Sequence, residues 1–89
     1  MSLGYKKVGV IATFNPEGQI RPLWVRVPLG EELTTVEVLA TVETPQELRF
    51  PHMVDFKCRI RTGENTMRDV QLRFNKRDTY WELSYDMSM

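Results

Sequence analysis

Met53-Val54-Asp55-Phe56-Lys57-Cys58-Arg59-Ile60-Arg61 is the stretch on which the fold turns. Val54, Phe56, Cys58 and Ile60 alternate without interruption with Asp55, Lys57, Arg59 and Arg61. A period of two belongs to an extended chain with one dry face and one wet face. The next extended stretch, Met67 to Phe74, places Val70, Leu72 and Phe74 on one side. Folding the two about Gly63-Glu64 so that the apolar faces coincide sets Cys58 against Val70, Phe56 against Leu72 and Val54 against Phe74. The same register places Arg59 opposite Asp69 and Asp55 opposite Arg73 on the wet face. Opposite charges across an antiparallel pair add a few tenths of a kcal/mol each. A register required by the core and also satisfied by the surface is strongly specified.

Four further stretches carry the same period. Tyr5 to Phe14 aligns Val8, Val10, Ala12 and Phe14, and Ile20 to Val27 aligns Leu23, Val25 and Val27. Leu33 to Glu43 aligns Val36, Val38, Ala40 and Val42 against Thr35, Glu37 and Thr41. Thr79 to Tyr85 aligns Trp81, Leu83 and Tyr85. Turn residues separate them: Asn15-Pro16-Glu17-Gly18, Pro28 to Glu32, Thr62 to Thr66, and Asn75 to Asp78. In the longest connection, Thr44-Pro45-Gln46-Glu47 carries a capping sequence for one helical turn near residues 45–49, and Pro51 stops its extension. Pairing the remaining hairpins by the same logic predicts Val10 by Leu23, Val8 by Val25 and Gly9 under Trp24. It also predicts Leu72 by Trp81, Val70 by Leu83 and Arg73 across from Tyr80.

The expected architecture is all-β: a small antiparallel barrel of the SH3-like kind, or a strongly bent sheet, of five to six strands with that one helical turn. Residues 1–89 form one domain, with 1–4 and 86–89 as disordered ends. The expected core is Val8, Val10, Phe14, Leu23, Val25, Val36, Val38, Val54, Phe56, Cys58, Ile60, Val70, Leu72, Phe74, Trp81 and Leu83. At this size only about 60–65% of the unfolded surface is buried, so the 42% of hydrophobic residues make a thin core. No run of about eighteen apolar residues is present, which excludes a membrane-spanning helix.

Chemistry is sparse. Cys58 is the only thiol and His52 the only imidazole. Cys58 lies between Phe56 and Ile60 on the dry face, where burial raises a thiol pKa and silences it. His52 has no second histidine and no local carboxylate cluster, whereas a metal site needs three or four ligands. Glu31, Glu32, Glu37, Glu43 and Glu47 read as solvated charge. No phosphate loop, dinucleotide fingerprint or zinc spacing occurs. The expectation is therefore a protein with no catalytic residues, no metal and no cofactor.

A binding surface is the remaining reading. The formal charge is zero, from twelve basic and twelve acidic residues. Residues 29–55 are acidic, and the flanking segments are basic. Trp24 projects opposite Leu23, Val25 and Val27, next to Arg26. Arg59 and Arg61 share the wet face of their strand, and Tyr80 is a second outward ring. Trp24, Arg26, Arg59, Arg61 and Tyr80 are thus the candidate contact residues. Tryptophan and arginine dominate interface energetics, so a protein partner or self-association is the first reading. The ordinary alternative for Trp24 is that it covers Gly9. Single-stranded nucleic acid stacking on the same rings is the competing function. Zero net charge and the carboxylate partners of Arg59 and Arg73 weigh against it.

Lys7-Val8-Gly9-Val10-Ile11-Ala12-Thr13-Phe14, the turn with Glu17-Gly18, and Ile20-Arg21-Pro22-Leu23-Trp24-Val25-Arg26 resemble a group of short bacterial proteins usually described as hypothetical. Cys58-Arg59-Ile60-Arg61 and Tyr80-Trp81-Glu82 fit the same pattern, which covers most of residues 5–85. Val27-Pro28-Leu29 departs from it. The resemblance implies a small SH3-like barrel in a bacterial cytoplasm, and it brings no activity.

Overall fold

Six strands close into an antiparallel barrel in sequential order: β1 (Lys6–Phe14), β2 (Ile20–Leu29), β3 (Glu32–Glu43), β4 (Met53–Arg61), β5 (Met67–Asn75) and β6 (Tyr80–Tyr85). The computed structural model describes residues 5–29, 31–44 and 51–85. The helical turn expected near 45–49 and the expected disordered ends lie outside them. The barrel expectation holds, with a build consistent with a small SH3-like barrel.

Closure requires strands that serve two neighbours in succession. β1 pairs with β6 over Lys6–Val8 and with β2 from Gly9 to Phe14. β3 pairs with β2 over Glu32–Glu37 and with β4 from Val38 to Glu43. Gly9 sits where β1 changes partner, the position at which a strand glycine marks a barrel corner.

The β4–β5 hairpin has the register read from its alternation. Cys58 faces Val70, Phe56 faces Leu72 and Val54 faces Phe74. Outside, Arg59 Nε lies 3.0 Å from Asp69 Oδ1. Arg73 holds Asp55 with two hydrogen bonds, Nε to Oδ1 at 2.8 Å and an Nη2 donor to Oδ2 at 3.2 Å.

Two other hairpins correct the expected registers by two residues. In β1–β2, Val10 faces Val25, Gly9 faces Arg26 and Ile11 faces Trp24. The pairing then jumps from Ile11–Trp24 to Ala12–Pro22, so Leu23 is bulged out of the ladder. One extra residue exchanges inside and outside. Pro22 is fully buried, while Leu23 is only half-buried and outside the core cluster. Pro22 is tolerated because β2 has a partner on one side only at that point, β3 first pairing at Trp24. In β5–β6, Leu72 faces Leu83, Phe74 faces Trp81 and Arg73 faces Glu82. Here Lys76–Thr79 form the turn, and the Asn75 side-chain oxygen accepts from the Arg77 and Asp78 amides at 2.9 Å each.

A second bulge corrects β3. Its ladder passes from Val38–Ile60 to Ala40–Arg59, skipping Leu39. Thr41 then faces Cys58 and is half-buried, whereas Ala40 and Val42 point outward. The core is otherwise the expected one. Phe56, Ile60, Leu72, Val25, Val27 and Val70 are fully buried, and Val8, Val10, Val38 and Val54 pack against them. Phe14 is the exception at 58% exposed. It caps the end of an aromatic row, edge-on to Phe74 with centroids 5.8 Å apart, and Phe74 in turn meets Trp81 at 4.9 Å. Aromatic pairs in such geometry add about 0.5–1.5 kcal/mol beyond their area.

Among the described residues, two have positive φ. Gly18 (84°) suits the Asn15–Gln19 turn, in which Asn15 Oδ1 accepts from the Glu17 and Gln19 amides. Thr79 (55°) is β-branched and strained there. Replacing Thr79 by Gly is expected to stabilise the barrel by about 1 kcal/mol, the left-handed cost being partly offset by added unfolded-state entropy. Denaturant unfolding reads this as a higher midpoint at constant slope.

Candidate interaction surface

Bending β1 and β3 produces a three-stranded outer face from the second half of β1, β2 and the first half of β3. On it, Trp24 lies between Ile11 on β1 and Glu37 on β3, and Arg26 lies between Gly9 and Thr35. Trp24 is 42% exposed and Ile11 60%. Trp24 therefore stacks outward beside Ile11 and does not sit across from Gly9. A β-carbon at Gly9 would meet Arg26 Cβ at an ordinary 3.8 Å, so space alone does not require glycine there.

Two open depressions flank the tryptophan. One, of about 270 Å³, is lined by Gly9, Val10, Ile11, Trp24, Arg26 and Thr35. The other, of about 380 Å³, runs between Trp24 and the β4–β5 turn and includes Glu37 and Arg61. Arg61 Nε lies 3.9 Å from Glu37 Oε1, and an Nη1 hydrogen is donated to the Glu64 carbonyl at 3.3 Å.

The five expected contact residues thus separate. Trp24, Arg26 and Arg61 share one region. Arg59 faces a different depression with Ala40, Val42 and Lys57, and it is held by Asp69. Tyr80 is half-buried on the other side of β1 from Arg26. Its hydroxyl accepts from Asn75 Nδ2 at 3.3 Å, and Lys7 Nζ stands 4.4 Å from its ring centroid. Ile11 was outside the expected set, although its odd position among Val8, Val10 and Ala12 already placed it on the wet face. Val42, 64% exposed, was hidden by the Leu39 bulge.

A second polar cluster pins the start of β1. Tyr5 donates its hydroxyl to Gln71 Oε1 at 2.9 Å, and the Arg73 guanidinium lies 4.2 Å from the Tyr5 ring centroid while binding Asp55. Burial of its ring raises the Tyr5 pKa, opposed by Arg73. The Asp55 hydrogen bond raises the Arg73 pKa. This cluster is structural.

Among the described residues, no three His, Cys, Asp or Glu side chains converge as a metal set. His52 contributes its backbone carbonyl, which accepts from the Lys76 amide at 2.7 Å. Burial pushes the Cys58 thiol up to about 11, the Thr41 hydroxyl 3.8 Å away acting weakly in the other direction. Among the described residues, no helix is long and apolar enough to cross a membrane. No protein-family model matches the sequence, and neither curated proteins nor solved structures give a significant match.

Two outcomes follow from these contacts. A double-mutant cycle on Arg73 and Asp55 is expected to give a coupling of about 1 kcal/mol, because the pair is bidentate and roughly three-quarters shielded. The more exposed Arg59–Asp69 pair gives the weaker coupling. For Cys58, the folded pKa lies above the unfolded one, so the folded state holds its proton more tightly. Stability is then fully present below about pH 9 and falls as the pH rises to about 11. Cys58→Ala should flatten that part of the pH–stability curve, measured by urea unfolding at pH 8, 9, 10 and 11.

Proposed function

We propose that this protein is a non-catalytic small barrel, of the SH3-like kind, that acts as a protein-binding or self-associating module through the Trp24 face. The observation that carries the reading is the outward Trp24–Ile11 pair, 42% and 60% exposed, between two depressions edged by Arg26 and Arg61. A large ring beside a branched aliphatic residue, with arginines at the rim, is the composition of an interface anchor. β2 has β1 on one side of Trp24 and β3 on the other, so the ring acts through its side chain. The resemblance to short bacterial proteins supports a bacterial cytoplasmic setting.

Single-stranded nucleic acid is the second reading. Arg26 makes no ion pair among the described residues, and Trp24 offers a stacking ring. Against it, Arg59 and Arg61 each already face a carboxylate, which removes much of the charge that phosphate binding needs.

The test is affinity capture from a bacterial lysate with the wild type and with Trp24→Ala, alongside titration of labelled single-stranded RNA and DNA at low and moderate salt. The expected outcome is protein retained by the wild type and weakened about thirtyfold or more by Trp24→Ala, with no salt-sensitive oligonucleotide binding. Equal retention by both proteins would overturn the Trp24 face. Tight, salt-sensitive oligonucleotide binding would transfer it to the nucleic-acid reading.

A further inference from the structure

We propose that two copies of this chain associate by pairing the open edge of β1, residues 10–14, antiparallel with itself. Ile11 belongs both to this edge and to the Trp24 face, but the pairing runs through the backbone of β1 and needs no contact from Trp24. β6 accompanies β1 only over Lys6–Val8, so Val10–Phe14 is paired with β2 on one side and has no partner strand on the other among the described residues. The seam that closes the barrel is the Lys6–Val8 stretch, and Val10–Phe14 runs on beyond it.

Edges of this kind are usually guarded by charge or proline. Val10-Ile11-Ala12-Thr13-Phe14 contains neither. A second open edge, Glu32–Glu37 of β3, pairs with β2 and not with β4. It carries Glu32 and Glu37, charges of one sign that repel a second copy. A third, Ile20–Leu23 of β2, contains Arg21 and Pro22, so Val10–Phe14 is the unguarded one of the three.

The occupant follows from self-complementarity. A two-fold axis through Ala12 sets Val10 opposite Phe14 of the second copy, and Ile11 opposite Thr13. Residues of like parity meet, so the inward faces stay inward and the two barrels share one continuous sheet. Ile11 (60% exposed) and Phe14 (58% exposed) lose water contact. No like charges meet in this register.

Sedimentation velocity from about 1 μM to about 1 mM, a range that resolves weak dimers, tests the pairing. The wild type is expected to pass from monomer to dimer, with slower amide exchange at residues 10–14 as the concentration rises. Ile11→Lys/Thr13→Lys places like charges opposite each other twice in the register and is expected to weaken the dimer at least about tenfold. Ile11→Lys/Thr13→Glu places opposite charges there and is expected to restore it. Both sites are exposed, and far-UV circular dichroism checks that the variants fold. A monomer throughout the range overturns the proposal. So does a dimer indifferent to both double variants, or one abolished by Trp24→Ala; the last outcome would instead support self-association through the Trp24 face.

Discussion

Closing a barrel from six short strands is the constraint on which the other features depend. A flat meander cannot bring its first strand to its last. Here β1 and β3 each desert one neighbour for another, at Gly9 and between Glu37 and Val38, next to the Leu39 bulge. Bending a strand sharply while keeping its apolar residues inside calls for glycine or an extra residue, and the chain uses both. The bulges at Leu23 and Leu39 are thus consequences of curvature. They decide which side chains reach solvent on the outer faces of β2 and β3.

Around that frame, the β4–β5 hairpin is the most fully determined element. Its inner residues include Phe56, Ile60, Val70 and Leu72, all fully buried, and its outer face is laced by Asp55–Arg73 and Arg59–Asp69. The same charge pairing limits what the outer surface can recognise. Cations already matched across a hairpin contribute little to a polyanion, whereas the Trp24–Ile11 pair keeps its apolar area in water. On the proposed reading, such a surface suits a partner that covers a ring better than one that must neutralise charge.

The alternation of residues 53–61 made the strand character and the β4–β5 register legible, because core and surface demanded the same alignment. The ends of the aromatic row were less legible. Phe14 has the parity of a core residue yet lies beyond the last full layer, where the barrel mouth opens. The β1–β2 and β5–β6 registers were each displaced by two, a shift that leaves parity intact and so leaves the apolar pattern silent. Only turn geometry distinguishes such alternatives, and at 75–79 it depends on an Asn75 side chain and a left-handed Thr79 that composition does not announce. Bulges are harder still. Nothing in Pro22-Leu23-Trp24 or Val38-Leu39-Ala40 marks the residue that drops out of the ladder. Of the five contact residues, Trp24 and Arg26 share the outer side of β2, and Arg61 of β4 joins them by reaching Glu37, the residue of β3 paired with Trp24. Arg59 and Tyr80 shared only their outward direction.

The seam between β1 and β6 has one more implication. Lys6 lies beside Leu83, so the first and last strands of the barrel bring the start of β1 and the end of β6 next to each other. A short flexible bridge from residue 5 to residue 85 would join them without disturbing any layer. The chain could then be reopened at the exposed Gly63-Glu64 turn to give a circular permutant with the same ring of strands. Threading order is in that sense incidental to the architecture, which resides in who pairs with whom.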